Sequence, residues 1–281
     1  MSTASDRRVA SRQIQLPRLR LHYLDWPAIA VDAGPTLLLV HPNRTSANVW
    51  RPFVAASRLP NRIVAPDLRG HGDSEWPDVG YTVHDCIADL RELATALDLP
   101  PMVLIGGAIG ATTVLVYATQ HPEEVVGVAA NDIAFALDAT LLRRVQNRIR
   151  TQVVHDSPEE ALLGDHAVDH MDADALRRFM DDMFMPTEDG RVRWRYHPPG
   201  VAAMMEPLSP PLPQVVDVRC PTLLLRGTES KPLSRENLAR LAAHIPGAQT
   251  AEVSDADHIL SLDNPTAYAT LIDEWVEEVV M

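Results

Sequence analysis

Three places in the chain carry residue types suited to nucleophilic or acid–base chemistry. The first is Gly106-Gly107-Ala108-Ile109-Gly110, which follows an apolar run and precedes a helical pattern over residues 112–120. Strand, tight turn and helix in that order lift the central side chain of a Gly-x-x-x-Gly segment above a parallel sheet, the layout of a nucleophile elbow. Small residues are needed two before and two after the centre because backbone approaches backbone there. The centre is Ala108, which carries no nucleophilic atom. The second place is His258, in Ser254-Asp255-Ala256-Asp257-His258, shortly after an expected strand. A neutral imidazole there takes a proton from a hydroxyl, a water or a substrate. The third is Asp132, at the end of another apolar strand; its short carboxylate could equally cap a following helix.

These residues need a frame. Residues 36–40, 62–66, 102–106, 125–130 and 222–226 are short continuous apolar runs, the mark of strands buried on both faces. Residues 13–16 and 19–25 alternate like two opening strands, and 249–253 is expected to be the last strand. Helices are expected from Ala47 and over 81–97. Strands alternating with helices call for an α/β fold with a mostly parallel central sheet flanked by helices. Between Asp132 and Cys220 the pattern changes. Residues 140–153, 158–171 and 174–184 look helical, and Asp189-Gly190 marks a turn before residues 191–196. The expected division is therefore a core of residues 1–133 and 214–281 with an inserted, mainly helical cap, 134–213. The Pro-rich patch 207–213 is the candidate hinge.

Length and composition narrow the function classes. A chain of 281 residues suits one large α/β domain with an insertion. A formal charge of −13 argues against nucleic acid or an anionic membrane as partner, and leaves a small-molecule substrate as the expectation. The two cysteines, Cys86 and Cys220, have no metal-type spacing, and a reduced, cytoplasmic setting is the default. Residues 1–12 have no apolar leader core, and no run of 18 apolar residues occurs. No metal is expected, because no His/Asp/Glu cluster has metal-ligand spacing, and no cofactor, because the glycines at 106, 107 and 110 lack the context of a dinucleotide or phosphate loop. Exposed cap helices could support a homodimer.

Together, the strand ending at His41, the segment Asp67-Leu68-Arg69-Gly70-His71-Gly72-Asp73-Ser74, the elbow and Asp257-His258 resemble the α/β-hydrolase fold, over residues 13–280. Within it the chain is similar to capped small-molecule hydrolases with an Asn-Asp pair after the sixth strand. These include hydrolases of carbon–carbon and amide bonds in small acidic metabolites, and haloalkane dehalogenases. The resemblance implies the chain order nucleophile, acid, histidine, with His258 as base. For the acid, many relatives use the loop after strand 222–226, where Lys231 stands at the expected aspartate position and Glu229 is offset. Other relatives use the position that Asp132 fills, and Asp132 is assigned as the orienting carboxylate with Glu229 as alternative.

The resemblance further implies an oxyanion hole from the backbone N–H groups of Ile109 and of the loop after His41. Pro42 has no N–H, so Asn43 is assigned as the second donor. Arg44, Trp194 and His41 are the candidate substrate contacts, Arg44 through a bidentate grip on a carboxylate. Arg69 is read as bracing loops, and His71 and His84 as structural or surface residues. Trp50, Trp76, Phe179, Met180, Met183 and Met185 could line a pocket, although cap or core packing explains most of them.

Ala108 leaves three readings open. In one, position 108 is natively serine, and the enzyme hydrolyses an ester, amide or C–C bond of a small, acidic metabolite through a nucleophile–His–Asp triad; the alanine then makes this chain inactive as a serine hydrolase. In another, alanine is native and the His258–Asp132 pair performs base catalysis on substrate or water, as a lyase, cyclase, decarboxylase or cofactor-free oxygenase. In the last, the chain is an inactive protein that kept a ligand pocket.

Overall fold

A computed structural model describes residues 7–99, 101–133, 139–151, 154–163, 168, 171–205 and 217–280. Its main sheet has eight strands: β1 (Ala10–Gln15), β2 (Arg20–Trp26), β3 (Thr36–Val40), β4 (Ile63–Pro66), β5 (Met102–Gly107), β6 (Val125–Asn131) and two that follow the insertion. The insertion contributes β7 (Val154–His155), β8 (Phe184–Pro186) and β9 (Val192–Trp194), after which β10 (Thr222–Gly227) and β11 (Gln249–Val253) complete the main sheet. The order is β1-β2-β4-β3-β5-β6-β10-β11, parallel from β4 to β11, with β1 and β2 joined antiparallel at one edge. The apolar runs in β5 and β10 are buried along their whole length, as strands covered on both faces must be.

Among the described residues ten α-helices accompany the strands: α1 (Arg51–Ala56), α2 (Val83–Ala96), α3 (Ile109–Gln120), α4 (Ala139–Thr151), α5 (Pro158–Leu162), α6 (Ala173–Met183), α7 (Pro198–Met204), α8 (Arg235–Ala242), α9 (Leu260–Asp263) and α10 (Pro265–Val280). Two apolar layers follow from the alternation of side chains along the strands. Leu38, Leu104 and Leu224 face α2, α3 and α8 through Leu90, Val114 and Leu238. Leu37, Ile105 and Leu225 face α1 and α10 through Phe53, Tyr268 and Trp275. Helix α3 is apolar all round because its residues from Ile109 to Ala118 are buried. At the start of α2, Thr82 and Asp85 form a reciprocal capping box, which ends the preceding loop.

The block between β6 and β10 adds strands to the expected mainly helical pattern. Strands β7, β9 and β8 make a small antiparallel sheet, and the expected helix over 158–171 is formed at Pro158–Leu162. Much of 164–170 and the Pro-rich patch 207–213 lie outside the described residues. The block builds a cluster of its own from Phe179, Met183, Phe184, Trp194 and Tyr196, and Ile259 of the core joins it. Backbone bonds stitch it to the loop after β4, since Gly72 N–H donates to Arg195 O (2.9 Å) and His197 N–H to Gly70 O (2.7 Å).

The chain order reverses between β3 and β5, and in open α/β sheets the crevice at the carboxyl ends of such strands is where ligands bind. Two glycines make that crevice possible. A Cβ on Gly106 would lie 2.3 Å from Gly110 O, and one on Gly110 would lie 2.2 Å from Val40 O. Both neighbours are backbone, so neither yields by rotating a side chain. Gly110→Ala is expected to destabilise the fold by about 3 kcal/mol, the upper end of ordinary overpacking, read as a lower denaturation midpoint.

Candidate active site

The elbow residue Ala108 sits between β5 and α3 at φ 49° and ψ −110°. This is a left-handed conformation that costs an L-residue energy and persists where surrounding structure enforces it. Two bonds do so: Ala108 N–H donates to Asn131 O at 2.9 Å, and Thr112 N–H donates to Ala108 O at 3.1 Å. Asn131 also donates its side-chain amide to the Tyr268 hydroxyl of α10 (2.6 Å). The Asn-Asp pair therefore has two tasks, the first residue bracing the elbow and the second carrying the carboxylate.

Asp132 follows β6 at φ 44°, held by its N–H to Leu225 O (2.7 Å), and its side chain is wholly buried. His258 Nδ1–H donates to Asp132 Oδ2 at 2.7 Å, leaving Nε2 as the proton-accepting atom. Asp132 Oδ1 makes no hydrogen bond among the described residues. The histidine loop is pinned from both sides, because Asp257 N–H (3.0 Å) and Ile259 N–H (3.2 Å) both donate to Asp263 Oδ2. Lys231 lies 3.6 Å from Asp257 Oδ2, so the cation in the alternative loop serves a structural carboxylate. The carboxylate that meets His258 is that of Asp132, not Glu229.

Burial disfavours the imidazolium of His258, but the hydrogen bond and charge of Asp132, with Asp257 and Asp263 beyond it, prevail and hold its pKa above the ordinary value. A raised folded-state pKa stabilises the fold fully below the unfolded value of about 6.5 and ceases to do so as pH rises through the folded value. Asp132→Asn should therefore lower the His258 titration midpoint, measured on the imidazole by NMR. The same change should cost more stability near pH 5 than near pH 9.

The loop after β3 forms the opposite wall. His41 Nδ1–H donates to Pro42 O (2.7 Å) and its Nε2 accepts Leu68 N–H (2.9 Å). Its ring is fully buried and desolvation lowers its pKa. Of the candidate substrate contacts, His41 has both ring nitrogens bound to backbone, and the cavity wall begins one residue later, at Pro42. A Cβ on Gly107 would lie 2.9 Å from Pro42 Cγ, so this loop rests directly on the elbow. His71 positions the next turn. Its Nδ1–H donates to Arg69 O (3.0 Å), its Nε2 accepts Arg44 N–H (3.3 Å), and burial lowers its pKa to about 3, keeping that acceptor available.

A cavity of about 150 Å³ opens between this loop and the inserted block. Its lining includes Asn43, Arg44 and Thr45 from the loop, His258 and Ile259, and Val145, Ile149, Phe179, Trp194 and Met205 from the block. The Arg44 guanidinium stands 4.7 Å from the Trp194 ring centroid, a cation–π distance. Asn43 anchors its side-chain amide on Val201 O (3.2 Å). Ile109 opens α3, where the first backbone N–H groups have no partner within the helix.

Of the sequence candidates, the cavity gathers Asn43, Arg44, Trp194, Phe179 and His258. Trp50 packs in the core against Phe53 and Tyr268, and Trp76 lies under Arg193 on the outer surface. Arg69 grips Asp89 of α2 through two 2.6 Å bonds and also donates to Gly80 O, tying the loop after β4 to that helix and to the loop before it. Val145, Ile149, Met205 and Ile259 were not foreseen, since apolar residues that line a cavity read in a sequence like any core position.

A strained elbow, an acid after β6, a histidine after β11 and a block laid over them define an α/β-hydrolase architecture. The chain belongs to the alpha/beta hydrolase family, whose model matches residues 37–271. It is 27% identical over 274 residues to 2-(acetamidomethylene)succinate hydrolase of Mesorhizobium japonicum, covering 95% of each chain. It is 26% identical over 295 residues to a haloalkane dehalogenase of the same organism, covering 97% of this chain and 93% of the other. The crystal structure of E-2-(acetamidomethylene)succinate hydrolase superposes with a TM-score of 0.85 at 25% identity, over 96% of this chain and 100% of that one. An enol-lactonase from Burkholderia xenovorans LB400 shares the fold, with a TM-score of 0.78 at 21% identity over 95% of this chain and 100% of that one. No helix among the described residues is long and apolar enough to cross a membrane.

Proposed function

We propose that the protein hydrolyses a small organic acid in the cavity beside His258, using the His258–Asp132 pair to activate water. The observation that carries this reading is the 2.7 Å Nδ1–Oδ2 bond, which fixes the imidazole tautomer with Nε2 free to accept a proton while its ring borders the cavity. Ala108 removes the route through a covalent acyl-enzyme, so water takes the place of the nucleophile. Water attacks the acyl carbon as His258 takes its proton, and Asp132 stabilises the imidazolium. The N–H groups of Ile109 and Asn43 receive the oxyanion. His258 then returns the proton to the leaving group.

The substrate class rests on the wall chemistry and on the relative that acts on a substituted succinate. Arg44 is the one arginine or lysine bordering the cavity among the described residues, and apolar side chains make up most of the rest. An acyl or enamide bond carried by a small carboxylate fits that lining. Arg44→Ala should weaken binding of such an acid on the order of tenfold to a hundredfold, the worth of a charged hydrogen bond. Arg44→Ala should leave a neutral ester of the same acid nearly unaffected, and calorimetry on the pair reads the difference.

Ala108 also favours a second reading, a ligand-binding protein without turnover. Incubating the chain with a panel of N-acyl and enol-ester acids in deuterated water separates the two. Cleavage supports hydrolysis. Deuterium exchange without cleavage points instead to proton abstraction from substrate carbon, and binding with neither outcome supports the inert protein.

A further inference from the structure

We propose that Ser11, His22 and Asp67 form a second Ser–His–Asp relay, in which the Ser11 hydroxyl is an activated nucleophile toward small acyl and phosphonyl electrophiles. Ser11 lies on β1 and is exposed. Its O–H donates to His22 Nε2 at 2.9 Å, and His22 Nδ1–H donates to Asp67 Oδ2 at 2.8 Å. The order of atoms is that of a catalytic triad: hydroxyl, imidazole Nε2, imidazole Nδ1, carboxylate. At the elbow the imidazole has an alanine where a nucleophile belongs. Here the nucleophile is present.

Each member is fixed by its neighbours. Asp67 is buried and cannot turn, because Ala47 N–H donates to its Oδ1 (2.7 Å) and Asp73 N–H to its Oδ2 (2.9 Å). His22 is buried on β2, with its backbone N–H bound to Ser74 Oγ (2.9 Å). A carboxylate that only accepts forces the proton onto Nδ1, so Nε2 presents its lone pair to Ser11. Burial opposes charge on His22, but Asp67 and Asp73 outweigh burial and the nearby Arg51 and raise its pKa. The imidazole is therefore a stronger base than an ordinary one once neutral. His22, Asp67 and Asp73 could also suggest a metal site, yet His22 Nε2 is committed to Ser11, and Asp67 to backbone amides.

The strand register puts Gln13 opposite His22, so the two side chains and Ser11 share one face of the sheet. Gln13, two residues along the strand from Ser11, borders an open groove of about 450 Å³ that Arg20, Asp73, Ser74 and Trp76 also line. In the reaction, Ser11 Oγ bonds to the carbonyl carbon or phosphorus and the hydroxyl proton moves to His22 Nε2. The bond to the leaving group breaks with its electron pair. Aryl esters and fluorophosphonates suit the site because aryloxide and fluoride leave without needing a proton.

The test is labelling of the full chain with a fluorophosphonate, followed by peptide mapping. An adduct on Ser11 that forms on the order of a hundredfold faster than on the exposed serines Ser234 and Ser254 is expected, the scale of general-base assistance. Ser11→Ala should remove that adduct, and His22→Gln should slow it to the rate of the other serines. Labelling of Ser11 at the common serine rate in the unsubstituted chain would overturn the proposal, whether or not His22→Gln folds. So would fast labelling that His22→Gln, folded by near-UV circular dichroism, leaves unchanged.

Discussion

Ala108→Ser is expected to turn this chain into a covalent serine hydrolase, raising p-nitrophenyl acetate turnover on the order of 10³-fold or more, the scale at which a missing nucleophile acts in such sites. The backbone needs no rearrangement, since position 108 already holds φ 49°, the strained conformation that presents an elbow side chain. The substitution adds one oxygen to a residue that is 7% exposed. His258 is already tautomerically fixed by Asp132, and α3 already offers the Ile109 N–H. A pre-steady-state burst and an acetyl adduct on the peptide containing position 108 are the readouts. That peptide is separate from the one containing Ser11, so the two nucleophiles are resolved in one experiment. A folded variant with no burst would mean that the elbow and His258 are not aligned for attack, and the mechanism would have to be given up.

The second large effect is loss of turnover in His258→Ala, on the order of 10²–10⁴-fold, with binding of the organic acid retained. Retention is expected because the cavity is walled mainly by Arg44 of the loop after β3 and by Trp194, Phe179 and other side chains of the inserted block. Removing the imidazole also leaves Asp132 as a buried carboxylate without its partner, which costs stability. His258→Gln, which keeps polar contact but no basic nitrogen, is the companion variant. Loss of kcat in both with little change in Kd would identify His258 as the base. Unchanged kcat in either, measured on folded protein, would remove the dyad from the mechanism.

Much of the frame was legible in the residues. The continuous apolar runs in β3, β5, β6 and β10 announced buried parallel strands, and all four formed. Glycines at 106 and 110 announced the elbow because only hydrogen fits where backbone meets backbone. The inserted block was less readable. Strands β7, β8 and β9 have two or three residues each, too few to display a period of two, so the sequence does not announce them.

The division between sequence and fold falls along the range of the forces involved. Local sterics and hydrophobic periodicity are written in neighbouring residues, so the chain alone determined the sheet, the elbow and the absence of a nucleophile at Ala108. The resemblance favoured Asp132 over Glu229, but the contact itself depends on residues 126 apart in the chain, and only the tertiary structure brings the Asp132 carboxylate to His258. The same holds for His41, whose two nitrogens are claimed by a backbone 27 residues away and by its own loop. It holds for Ser11 and His22 as well, unremarkable in sequence until β1 pairs with β2 and the loop after β4 supplies Asp67. A hydrogen bond acts over about 3 Å, and only folding decides which distant side chains come within it.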